Sequence, residues 1–269
     1  MNFTKMHGLG NDFILIDCLK MDIPIPSDTA KKVCHRKFGI GADQLLLLYP
    51  SEVADFRMVI FNADGSEAEM CGNGIRCMGK YLVDRGIASK IDLEIETKAG
   101  IIKVRVREDL VEVDMGVPYL EGVDIPVNLD GRIVSHPIMI DDREFKITCV
   151  SMGNPHCVIF LKDVAGFPVA AYGPKVETHP LFPARVNVEF AQVIDERNIR
   201  IRVWERGAGE TLACGTGACA TLVAAILNGL THRRVTLHLK GGNLDALWGE
   251  DDRVYMTGPA VEVYNGTIE

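Results

Sequence analysis

Glu69-Met70-Cys71-Gly72-Asn73-Gly74-Ile75-Arg76-Cys77 and Leu212-Ala213-Cys214-Gly215-Thr216-Gly217-Ala218-Cys219 are two versions of one pattern. Each carries Cys-Gly-x-Gly and opens an apolar run that ends in glycine, at Gly86 and at Gly229. The leading cysteines lie 143 residues apart (214 − 71), and so do the closing glycines (229 − 86). The same offset, without a gap, maps Gly10-Asn11 onto Gly153-Asn154, Gln44 onto Asn187, Asn62 onto Glu205 and Glu67 onto Glu210. The chain therefore reads as two copies of one unit. A lone Cys-Gly-x-Gly is more often a turn than a site. A purely structural repeat explains matched strands and helices, but not Asn, Gln and Glu held at the matched turns.

The runs after the two motifs have helical periodicity. Residues 72–85 present Ile75, Met78, Gly79, Leu82 and Val83 as a broad apolar surface, with Gly86 placed to cap the end. Residues 215–228 are apolar nearly all round, which predicts a helix buried inside its own domain. Ser27 is the expected N-cap of a further helix reaching about Arg36. Strand patterns fall at 3–7, 13–17, 44–49, 56–61 and 111–115, with 91–97 and 101–107 as a hairpin. The second copy places them at 145–151, 157–161, 186–191, 199–204, 235–240, 244–248, 253–257 and 261–264. Asp114-Met115-Gly116-Val117-Pro118 resembles Tyr255-Met256-Thr257-Gly258-Pro259 with a one-residue slip. The expected crossings are thus near Gly116 and Gly258. The domains are then 1–116, with 259–269 returning as its last strand, and 117–258.

The net charge is −8 with no basic block, so the footprint of a nucleic-acid binder is missing. No stretch approaches the roughly 20 apolar residues of a membrane helix. The first 17 residues lack a signal-peptide layout, and the expected location is the cytoplasm. The eight cysteines contain no Cys-x-x-Cys pair, and Cys71/Cys77 is a poor zinc spacing. Six of them, Cys71 and Cys214 apart, read as small buried hydrophobes.

A cysteine just before a helix sits beside unpaired N–H groups and the positive end of the dipole. That favours thiolate over thiol. The glycines let backbone approach a ligand, and helix-start N–H groups bind carboxylates. Two such units could set one sulfur on each side of a cleft. A carbon held there could lose a proton to one face and gain one from the other, inverting a stereocentre by general acid–base catalysis. The strongest rival is a redox disulfide between Cys71 and Cys214, though redox pairs rarely need such a polar ring.

These residues resemble the diaminopimelate epimerase family. The opening His7-Gly-Leu-Gly-Asn-Asp-Phe13, Gly39-Ile-Gly-Ala-Asp-Gln44, Met70 to Cys77 and Gly153-Asn-Pro-His156 are similar to its motifs, and Glu205 to Gly217 is the longest match. Pro183-Ala-Arg-Val186 departs from the family before Asn187. The resemblance implies an α+β fold of two pseudo-symmetric domains, each a mostly antiparallel sheet or barrel wrapped around a central apolar helix. It implies interconversion of LL- and meso-2,6-diaminopimelate, in lysine and cell-wall precursor biosynthesis, without a cofactor. No motif suggests pyridoxal phosphate or a metal, so preorganised dipoles in a closed cleft must stabilise the carbanion.

The resemblance also assigns residues. Cys71 and Cys214 would be the acid/base pair, with His156 and Glu205 tuning their protonation. Gly72, Asn73, Gly215 and Thr216 would seat the reacting carboxylate. Asn11, Gln44, Asn62, Asn154, Asn187, Glu205 and Arg206 would hold the rest of the substrate. A homodimer is the family expectation, and Tyr264 is a candidate contact. A proline-racemase-like enzyme and a non-catalytic amino-acid-binding module are the alternatives. The phenazine-pathway isomerases are disfavoured because they lack the cysteine pair.

Overall fold

A computed structural model describes residues 1–268. By its contacts the chain divides into two compact units, residues 1–114 with 257 onward, and residues 115–256.

The first unit begins with β1 (Asn2–Gly8), β2 (Asn11–Asp17), α1 (Pro26–Cys34), β3 (Gln44–Tyr49), β4 (Phe56–Asn62) and β5 (Glu67–Ala68). It continues with α2 (Gly72–Asp84), β6 (Asp92–Thr97), β7 (Gly100–Arg107) and β8 (Leu110–Asp114). Its strands pair antiparallel except β2 with β3 and β4 with β6, which are parallel. Leu45 to Leu48 of β3 are fully buried, and α2 packs on β1, β7 and β8. Nine residues of α2 are buried, so the sheet closes round it.

The second unit holds β9 (His136–Ile140), β10 (Arg143–Ser151), β11 (Pro155–Phe160), α3 (Val169–Glu177), β12 (Asn187–Asp195), β13 (Asn198–Glu205) and β14 (Gly209–Thr211). Then come α4 (Gly215–Leu227), β15 (Arg234–Leu239), β16 (Gly242–Trp248) and the start of β17 (Val254–Pro259). Here too two pairs are parallel, β11 with β12 and β13 with β15, the counterparts of β2 with β3 and β4 with β6. The register matches as well. Phe13 pairs with Gln44 and Leu46 with Ile60, while His156 pairs with Asn187 and Glu189 with Val203, each residue displaced by 143. α4 packs on β10, β11, β12, β15 and β16 and has almost no solvent-facing side, as its composition predicts.

Both central helices stop the same way. Gly86 and Gly229 take positive φ (64° and 66°), and the amides after them return to the helix, Ile87 to Leu82 O and Leu230 to Ala225 O. Only glycine enters that region without steric cost. The last strand, β18 (Val261–Thr267), pairs with β1, and Tyr264 on it is partly exposed, its ring edge-on to Phe3.

Two local expectations need correction. α1 starts at Pro26 after Ile25, with no side-chain cap, and ends at Cys34. Ser27 lies inside the first turn because proline, with φ already helical and no N–H to satisfy, is the better first residue. α3 and β9 were not legible. α3 carries Gly173 and Pro174, both poor helix formers, and Gly173 packs against Trp204, where a Cβ would lie 2.5 Å from the indole. No helix among the described residues is long and apolar enough to cross a membrane.

Candidate active site

Each unit carries a cysteine at the start of its central helix. Cys71 and Cys214 are the N-cap residues of α2 and α4, both in extended backbone (φ −139°, ψ 116° and φ −124°, ψ 116°). Extended backbone at this position aims the side chain across the open end of the helix, beside its unpaired N–H groups. All eight cysteines are free thiols, and Cys71 alone among them is only partly buried.

In the first unit, Asn11 follows a turn in which Leu9 and Gly10 have positive φ (57° and 87°). Its Oδ1 accepts from Asn73 Nδ2 at 3.2 Å and from Cys71 Sγ at 3.6 Å, and its Nδ2 donates to Asp43 Oδ2 at 2.9 Å. Asn73 is held in turn by Arg76, whose Nη2 donates to its Oδ1 at 2.8 Å. The Arg76 guanidinium is fully buried and also donates to Gly72 O and Pro259 O. The sequence reading quoted Arg76 but gave it no role. Gln44 and Asn62 sit opposite one another on β3 and β4, joined by a 2.8 Å bond from Gln44 Nε2. Gln44 Oε1 is a buried acceptor without a hydrogen-bond partner among the described residues.

In the second unit, Cys214 Sγ accepts from Gly217 N at 3.4 Å and lies 3.4 Å from Thr216 Oγ1. Asn154 Nδ2 donates to that same hydroxyl at 3.3 Å, and Asn154 Oδ1 is 3.0 Å from His156 Nε2. His156 Nδ1 is 2.7 Å from Glu189 Oε1. Asn187 bridges Pro155 O and the backbone N–H of Arg206, both at 2.9 Å. Arg206 is exposed, with Nη1 donating to Ala184 O at 3.0 Å. Glu205 Oε1 accepts from Thr211 Oγ1 at 2.5 Å. Gly72, Asn73, Gly215 and Thr216 form the first turns of their helices. The structure thus gathers Asn154, His156 and Thr216 about Cys214, and Asn11 and Asn73 about Cys71.

One electrostatic expectation is reversed. A helix start should favour a thiolate, yet Cys214 is pushed well above the ordinary thiol range. Burial is the main cause, followed by the charges of Glu205 and Glu189, and the bonds from Thr216 and Gly217 N offset only part of it. Cys77 is pushed up to about 12 by burial, with Arg76 opposing. Glu189 was missed by sequence reading. Its signal was the one carboxylate inside Val186-Asn-Val-Glu-Phe-Ala191, a stretch rich in apolar residues.

A fold of this kind, mostly strands with a helix at the heart of each repeat, belongs to a class that spans several activities. The structure is similar to a Bacillus anthracis phenazine biosynthesis protein of the PhzF family (TM-score 0.70, 18% identity, covering 100% of this chain and 99% of that one). It is equally similar to a probable proline racemase from Agrobacterium radiobacter K84 (TM-score 0.72, 16% identity, covering 100% and 92%). At such identities the likeness establishes the fold alone. The sequence narrows it further. The model of the diaminopimelate epimerase family matches residues 3–121 and 148–263, and the chain is 56% identical to diaminopimelate epimerase of Acetivibrio thermocellus over 100% of its own length and 99% of that protein's. The chain belongs to the diaminopimelate epimerase family.

Proposed function

We propose that this protein interconverts LL- and meso-2,6-diaminopimelate by moving one proton at the α-carbon, with Cys71 and Cys214 as the acid/base pair. Inversion needs a base on one face of the carbon and an acid on the other. The thiolate takes the α-proton, the electron pair stays on the carbon as a carbanion, and the opposing thiol delivers its proton. The first sulfur ends as thiol and the second as thiolate, ready for the reverse direction. The observation that carries this reading is the repetition of a cysteine N-cap at the start of a buried helix, in two units of matching register.

The remaining predicted residues fit substrate roles. Gly72 and Asn73, with Gly215 and Thr216, would offer helix-start N–H groups to the reacting carboxylate, where negative charge builds as the carbanion forms. The buried Gln44 Oε1 is an acceptor suited to an ammonium donor. The Arg206 fork suits a carboxylate. His156 and Glu205 act on the sulfur of the second unit. The protein is proposed to work as a homodimer in the cytoplasm.

Incubation with LL-diaminopimelate in deuterated water tests this. The parent should place deuterium at an α-carbon and form the meso isomer. Cys71→Ser and Cys214→Ser should each lose at least about a hundredfold, the usual contribution of a positioned acid or base. A parent that exchanges no α-proton, or either variant turning over at the parent rate, would overturn the assignment.

A further inference from the structure

The two units share their strand register but differ in what stands behind each cysteine-capped helix. At the common offset, Phe13 and Leu46 correspond to His156 and Glu189. The third glycine-motif position reports on that wall directly. A Cβ on Gly74 would meet Leu46 Cδ2 at 3.2 Å and Phe13 Cε1 at 3.4 Å, whereas one on Gly217 would meet Glu189 Oε1 at 2.6 Å. One seat is filled by hydrocarbon and the matching seat by a carboxylate. Glu189 is fully buried, and its Oε2 has no hydrogen-bond partner among the described residues. Burying a half-satisfied carboxylate is destabilising. Packing does not demand it, since leucine serves in the other copy.

We propose that Glu189 is a positioning residue for the reaction: its carboxylate, seated under the first turn of α4 and steered by His156, keeps Cys214 in the thiol form in the free enzyme. The inference rests on the epimerase reading, in which one sulfur must begin as acid. The physical basis is a competition for one helix end. The positive end of α4 would favour a thiolate at Cys214. A carboxylate placed there first takes up that field and repels a second anion. The groups facing Cys214 are Glu189 from β12, Glu205 from the end of β13, and the Thr216 hydroxyl and Gly217 N–H from α4, with His156 of β11 one bond behind. Burial is the largest influence on Cys214, and the two carboxylates, Glu205 ahead of Glu189, add to it and outweigh the two donors. The route from Glu189 is continuous: Glu189, His156, Asn154, Thr216 and Cys214 are joined by contacts of 2.7, 3.0, 3.3 and 3.4 Å. In the first unit the residues at the seats of Glu189 and Glu205 are Leu46 and Asn62, both uncharged.

The test needs no substrate. Cys71 and Cys214 are alkylated with iodoacetamide across a pH series and each is quantified on its own peptide, in the parent and in Glu189→Gln. The Cys214 profile should move to lower pH, with several-fold more label at slightly alkaline pH, while the Cys71 profile stays. In the direction where Cys214 is the acid, the alkaline limb of kcat/KM should move to lower pH with KM little changed. Should Glu189→Gln not fold, His156→Phe combined with Glu189→Leu, the pair found in the first unit, carries the same expectation. A Cys214 profile unmoved or shifted upward in either folded variant overturns the proposal. Absence of α-proton exchange by the parent would instead overturn the epimerase reading, and the alkylation result would still decide the role of Glu189.

Discussion

His156 Nδ1 lies 2.7 Å from Glu189 Oε1, on two strands that pair in parallel, and neither side chain reaches solvent. A contact of this kind is costly to assemble and more costly to break. Removing one partner leaves the other buried without compensation. His156→Ala should therefore destabilise the protein by about 3–5 kcal/mol. Replacing both with apolar residues of similar size should come much closer to the parent. Urea unfolding of the two variants checks this, and equal losses in both would contradict it.

The glycines of the two motifs should not tolerate alanine equally. At Gly217 a methyl group lands 2.6 Å from Glu189 Oε1, whereas at Gly74 it makes contacts of 3.2 Å or more with Leu46, Cys71 and Phe13. Overpacking typically costs about 1–3 kcal/mol. Gly217→Ala should lie at the upper end and disturb the His156 contact. Gly74→Ala should lie at the lower end. Thermal unfolding of the two variants gives the order directly.

Asp12 contributes a pH dependence. Burial alone would raise its carboxyl, but the hydrogen bonds from Arg36 and Lys5 outweigh burial and hold it well below the usual range. The contacts are 2.8 Å to Arg36 Nη2 and 2.6 Å to Lys5 Nζ. A folded value below the unfolded one, about 3.9, means stability that is complete above that pH and lost progressively below it. Urea midpoints should fall from about pH 5 to about pH 3 more steeply in the parent than in Asp12→Asn. The variant should be the less stable protein at neutral pH.

Arg206 offers a test of substrate holding. Its backbone N–H and one guanidinium nitrogen are engaged, by Asn187 and Ala184 O, and the exposed fork has further donors to give. Lysine cannot reproduce two parallel bonds to a carboxylate. Arg206→Lys should raise KM for diaminopimelate roughly tenfold to a hundredfold, the value of a charge-assisted bond. An analogue without the distal carboxyl should lose its sensitivity to this substitution if Arg206 grips that end.

Much of this protein was legible in order along the chain. The offset of 143 defined two copies, the positions of both central helices and the cysteines at their starts. That information is local: an N-cap, an apolar period and a closing glycine each act within a few residues. The roles of Arg76 and Glu189 were not legible, because a charged residue in an apolar run stands out without showing whether it faces water or a buried partner. The parallel pairing of β11 with β12 brings Glu189 to His156, and the seat beneath Gly217 exists only once α4 is packed against that strand. The direction in which Cys214 titrates was decided there too. The helix end alone favours a thiolate, whereas burial and two neighbouring carboxylates, one of them 25 residues upstream in sequence (189 to 214), reverse it.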